Sequence, residues 1–97
     1  MILNSNITTS YMTWTDVSTA FIILSMTYNI FHERVIRKIK QVRLEKGLTQ
    51  ENMEEGVYAL NVRTYQRIEN SETDITLKNL YLISKQLDVD IKEFFNF

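Results

Sequence analysis

Side chains able to carry covalent or metal chemistry are scarce in this chain of 97 residues. It has no Cys, which excludes disulfides and thiolate metal sites, and His32 alone cannot build a metal site or a His-based triad. There is no Gly-rich phosphate loop, and the carboxylates sit at capping or surface positions, so neither an enzyme nor a cofactor, metal or small-molecule ligand is expected. What remains is polar recognition. Val62, Arg63, Gln66 and Arg67 fall on the outer face of an expected helix whose inner face is claimed by Tyr65 and Ile68. Arg is able to pair bidentately with guanine O6 and N7, Gln with adenine N6 and N7, and Val packs on a thymine methyl.

The elements that position these residues follow from periodicity and breakers. Proline is absent and glycine occurs only at Gly47 and Gly56, so helices should dominate. From Glu33 to Glu45, Ile36, Ile39, Val42 and Arg43 recur at the spacing of one helix face, and Gly47 supplies the left-handed position that closes the helix. Thr49 is placed to cap a second helix that buries Met53 and ends near Glu55 and Gly56, with Asn52 where a capping box prefers Glu or Gln. Asn61 is the expected N-cap of the third helix, with Leu60 and Tyr65 as its hydrophobic staple. Thr76 caps a fourth helix in which Leu77, Leu80, Ile83, Ser84 and Leu87 face the core, and Asp90 caps a last short helix that buries Phe94.

Composition changes near His32. Residues 1–31 contain no Lys or Arg and a single charge, Asp16. Their apolar run from Val17 to Phe31 is shorter than the roughly twenty residues a membrane span needs and is interrupted by Ser18, Thr19, Ser25, Thr27 and Asn29. No secretory signal is expected either, because the segment lacks a basic start, and a cytoplasmic protein is the expectation. Thr13 to Asp16 is a candidate start of a short element. Ala20 to Leu24 has the content of a strand and is equally compatible with a helix packed on the second unit, since periodicity does not choose between them. The segment is either a poorly ordered extension or a packing or dimerising arm. Beyond it, residues 32–46 carry six basic residues against Glu33 and Glu45, while residues 47–97 carry five basic against nine acidic; a chain that held nucleic acid by bulk charge would be more basic.

A pair of short helices joined by a few residues is a weak pattern by itself. The run Val42-Arg43-Leu44-Glu45-Lys46-Gly47-Leu48-Thr49-Gln50-Glu51, followed by Val62-Arg63-Thr64-Tyr65-Gln66-Arg67-Ile68-Glu69-Asn70, makes it specific. With Ile75 to Leu80 and the closing Leu87-Asp88-Val89-Asp90-Ile91-Lys92-Glu93-Phe94-Phe95, it resembles the phage repressor and Cro superfamily, also called the xenobiotic-response-element family. The resemblance implies an all-α, five-helix repressor-like helix-turn-helix domain over residues 32–97, preceded by an N-terminal apolar extension over 1–31. It implies double-stranded DNA as partner, Val62, Arg63, Gln66 and Arg67 as base-facing residues, and Thr49, Gln50, Thr64 and Asn70 at phosphates. It also implies a largely buried ion pair, Arg43 with Glu69, that ties the first helix to the end of the third.

Departures from the family pattern are visible. The position that Gln50 steadies in the family is Val62 here, which has no polar group to offer. The stretch Glu54 to Leu60 is one residue longer than the usual turn, which would tilt the third helix or bring Tyr58 toward a DNA backbone. Ser71 replaces a common Gly, and Ile75 stands where Pro is frequent. The functional expectation is a transcriptional regulator that binds a palindromic operator as a homodimer, with no membrane association. The alternative is a protein-binding module on the same fold, an antitoxin or an anti-repressor subunit.

Overall fold

The computed structural model describes residues 14–97, and among these the secondary structure is helical with no strand. Helix α1 runs Trp14–Glu45, a first 3-10 turn spans Glu51–Glu54, α2 is Val62–Glu69, α3 is Leu77–Gln86, and a second 3-10 turn spans Ile91–Phe95. The chain divides into two compact units, residues 1–30 and 31–97. Of the extension assigned to residues 1–31, residues 1–13 lie outside the described residues, and with them Thr13 of the element expected there.

The helix expected to begin at Glu33 begins at Trp14. No Gly or Pro precedes Gly47, so once the helix is nucleated nothing in the sequence stops it. The strand alternative at Ala20 to Leu24 gives way for the same reason: a helix pairs its backbone groups internally, whereas a lone strand leaves them without partners. No helix among the described residues is long and apolar enough to cross a membrane.

In the C-terminal unit, α1 contributes Val35, Ile36, Ile39 and Val42 to one core with Met53, Leu60, Tyr65, Ile68, Leu80, Ile83, Leu87 and Phe94. The second of the five expected helices is a 3-10 turn. Met53 is its one buried residue, and Gly56 at φ +84° followed by exposed Val57 offers no second apolar position to draw another helical turn inward. The last helix is also a 3-10 turn, capped by the Asp90 side chain on the Lys92 N–H and holding Phe94 in the core. Leu77 departs from expectation: it is 79 % exposed, because at the first position of α3 it projects beyond the stripe of Leu80, Ile83, Ser84 and Leu87.

The three α-helices end alike. In each, the second residue past the helix donates to the carbonyl two residues before the end-cap and the third to the carbonyl three before it, as Gly47 to Leu44 (3.0 Å) with Leu48 to Arg43 (3.1 Å), Ser71 to Ile68 (3.0 Å) with Glu72 to Arg67 (2.9 Å), and Asp88 to Lys85 (3.1 Å) with Val89 to Ser84 (3.0 Å). This double closure needs a left-handed residue, and φ is +72° at Gly47, 57° at Ser71 and 55° at Asp88. Ile75 has a use that Pro lacks. Its N–H donates to Nε2 of the buried His32 at 3.2 Å, fastening the loop before α3 to α1.

Candidate nucleic-acid interface

Helix α2 is fixed at both ends and along its inner face. The Asn61 side chain accepts from the N–H groups of Arg63 (3.0 Å) and Thr64 (3.3 Å), satisfying two donors that the first turn leaves open. Leu60 before the cap is buried and donates its N–H to the Met53 carbonyl at 2.8 Å, while Tyr65 and Ile68 are sealed in the core. The outward residues then have no freedom of register: Arg63 and Arg67 are exposed, and Val62, Thr64 and Gln66 are half-buried beside them.

The preceding turn is held as firmly. Thr49 and Asn52 bond reciprocally, the Asn52 N–H to Thr49 Oγ1 at 3.1 Å and the Thr49 N–H to Asn52 Oδ1 at 2.7 Å, so the shorter amide completes a capping box. From α3, Gln86 Nε2 donates to the carbonyl of Asn52 (3.0 Å), which also accepts the Glu55 N–H (3.2 Å), and to the carbonyl of Glu55 (2.6 Å).

Between the turn and α2 lies a polar cluster centred on Glu69. Arg43 grips it with two nitrogens, Nε to Oε2 at 2.7 Å and Nη2 to Oε1 at 3.1 Å, and the two side chains are only 6 % and 2 % exposed. Arg43 Nη1 also donates to the Leu48 carbonyl at 2.7 Å. The Tyr65 hydroxyl donates to Glu69 Oε2, and Gln50 Nε2 donates to Glu69 Oε1 at 2.9 Å. Burial opposes the charged carboxylate, yet the hydrogen bonds from Arg43, Tyr65 and Gln50 outweigh it and hold Glu69 below the ordinary carboxylate value. The bond to Glu69 likewise raises Arg43 against the opposing effect of its own burial, and burial, reinforced by Glu69, raises Tyr65 far above a free phenol. A buried pair adds little net stability, but removing one partner strands the other at a cost of about 3–5 kcal/mol.

Gln50 does find a polar partner on α2, one turn beyond Val62. Gln66 Nε2 donates to Gln50 Oε1 at 3.3 Å, so the outward Gln66 is joined through Gln50 to the buried Glu69. Neither this link nor the Tyr65 hydroxyl was anticipated. The signal for Tyr65 was present as a Tyr and a Glu four residues apart at the inner edge of one helix; the Gln50–Gln66 contact depends on the angle between turn and helix, which spacing does not give.

The remaining residues assigned to phosphates are distributed around α2. Thr49 is exposed before the turn, Thr64 half-buried at the start of α2, and Asn70 exposed at its exit, 3.4 Å from Glu72 through Nδ2. A shallow depression of about 290 Å³ brings Asn70 and Ser71 together with Arg37 and Lys40 of α1. Arg37 is already paired with Glu33 at 2.9 Å, which leaves Lys40 as the cation added beside the α2 exit. A wider groove of about 500 Å³ collects Arg34, Arg37, Lys38 and Gln41 against Asn96 and Phe97, with the Arg34 guanidinium 5.7 Å from the Phe97 ring centre. On the other side, Glu51, Glu54 and Glu55 are exposed in and after the turn, with Glu54 reaching the Asn61 amide at 3.4 Å, and Val57 and Tyr58 are exposed in the loop.

A family model described as helix-turn-helix matches residues 39–94, more than half of the chain, from Ile39 of α1 to Phe94. No curated protein and no solved structure matches it.

Proposed function

The chain belongs to the phage repressor/Cro-like helix-turn-helix family of DNA-binding regulators, and from that premise we propose that it is a sequence-specific transcriptional regulator that binds a palindromic operator as a homodimer. The observation that carries the reading is the rigid presentation of α2: its inner residues are locked in the core while Arg63 and Arg67 project outward with Val62 and Gln66. Laid in a major groove, this face reads guanine through the arginines, adenine through Gln66 and a thymine methyl through Val62. Thr49, Gln50, Thr64 and Asn70 contact phosphates and set the register, with Lys40 adding charge beside Asn70. Two copies related by a twofold axis read two half-sites.

Enrichment of random duplexes on the purified protein tests this directly, with a palindromic consensus as the expected result. Arg63→Ala and Gln66→Ala should each lose about 1–3 kcal/mol of discrimination at one base pair, roughly a five- to 150-fold effect, while melting like the parent. Unchanged operator affinity in both variants removes α2 as the reader. One observation favours a protein-binding module instead: the acidic balance of residues 47–97 beside an exposed apolar arm. The salt dependence of DNA binding separates the two readings, because only a DNA reader releases counterions as it binds.

A further inference from the structure

From Val17 to Phe31, α1 carries no charged residue, and its large side chains are exposed. Val17, Phe21, Leu24 and Tyr28 on one side of the helix, and Ile22, Ile23, Met26 and Ile30 on the other, are 37–67 % accessible, the kind of exposed apolar surface that marks an interaction site. The exposed residues are ordered. Val17, Phe21, Leu24, Tyr28 and Phe31 follow one another at alternating steps of four and three, the 3.5-residue period that keeps a seam facing a second helix. The series closes at Phe31, whose ring already stacks on Phe95 at 6.1 Å within the C-terminal unit.

We propose that this half of α1 is a self-association surface, in which the seam Val17, Phe21, Leu24 and Tyr28 of one copy packs against the same seam of a second copy. It rests on the homodimeric reading above and supplies that dimer with its interface. The flanking residues argue for a second copy over a foreign partner. Beside the seam stand Ser18, Ala20, Ser25 and Thr27, small and uncharged, so they permit close approach and carry none of the charges that would select a different helix or repel an identical one. Thr27 turns its hydroxyl onto the carbonyls of Ile23 and Leu24, both at 3.0 Å, and so brings no unpaired polar group into an apolar contact. The helix is also prepared for pairing: its later turns are anchored by Val35, Ile36, Ile39 and Val42, and ordering the arm requires only propagation from that nucleus.

Sedimentation of the full chain at micromolar concentration is the test. The parent should run as a dimer, and Phe21→Glu and Leu24→Glu should halve the sedimenting mass while retaining the helical circular dichroism and melting of the C-terminal unit. Leu24→Ala, which favours helix, should weaken the dimer in the same direction, showing that association and not helicity is lost. Met26→Glu lies on the opposite side of α1 and should leave the dimer intact. A monomeric parent, seam variants that stay dimeric, or a Met26→Glu chain that dissociates equally would each overturn the proposal. Half-site duplex binding separates this outcome from the DNA reading: the seam variants should keep half-site affinity and lose the gain on a full palindrome. A dimer broken at the seam that never binds DNA would uphold the seam and sink the regulator.

Discussion

The two halves of α1 use similar residues to opposite ends. After Phe31, its apolar side chains alternate with Arg37, Lys38, Lys40 and Gln41, and Val35, Ile36, Ile39 and Val42 are buried under α2, α3 and the second 3-10 turn. Between Val17 and Ile30, no charge marks a side for water, and Phe21, Ile22 and Leu24 stand open. Apolarity is therefore not what makes a core. The charged residues of the C-terminal half choose the face, and the caps and turns that follow bring other elements back onto it. A helix without either device keeps its apolar surface for something outside itself.

That contrast is sharpest at Glu69. Glu69→Ala should lower stability by about 3–5 kcal/mol in urea melts, since Arg43 is left buried without its partner, whereas exposed Glu72→Ala should change it little. If the two variants melt together, the buried cluster is not what distinguishes the C-terminal unit. Acid probes the same group. Folding holds Glu69 below its ordinary value of about 4.5, so its contribution is complete above that pH and is lost as the pH falls through the depressed folded value. Stability that is flat from neutrality down through that range, and then no steeper in the parent than in Glu69→Gln, would contradict it.

Smaller effects follow outward. Tyr65→Phe removes one hydrogen bond to a charged acceptor and should cost about 1.5–3 kcal/mol, measured by the same melts. Asn61→Ala uncaps α2 and should cost about 1 kcal/mol while loosening its first turn, visible as faster hydrogen exchange at the Arg63 and Thr64 amides. Least of all, deletion of residues 1–31 should leave the C-terminal unit folded, with a melt close to that of the parent measured as a monomer. Unfolding of the truncated chain would erase the contrast between the two halves.

Much of the C-terminal unit was legible because its signals are local. Asn61, Thr76 and Asp90 cap where their residue types say they should, and the stripes of α1 and α3 give their buried faces, Leu77 excepted. The 3-10 character of the Glu51–Glu54 turn was not, because it depends on Gln86 arriving from α3 to take the Asn52 and Glu55 carbonyls. The helical state of Ala20 to Leu24 was hidden for another reason. Propensity there is ambiguous, and the segment continues a helix whose buried residues, Val35, Ile36, Ile39 and Val42, lie further along the chain. In the site, the outward face of α2 was readable from Tyr65 and Ile68, while the chain of contacts from Gln66 through Gln50 to Glu69 crosses two elements and is a property of their packing.

The three helix exits carry one more consequence. At Gly47 the left-handed turn is free of side-chain strain, but Ser71 and Asp88 adopt it with a Cβ in place, at a cost of about 1 kcal/mol each. Those two positions form a reserve of stability that the chain holds unused. A glycine at either would relieve the strain at the expense of a looser unfolded chain, leaving a gain of a few tenths of a kcal/mol up to about 1 kcal/mol. Drift through such sites shifts the margin of folding up or down without altering any outward side chain of α2, so the fold can absorb costly changes on that face and remain intact.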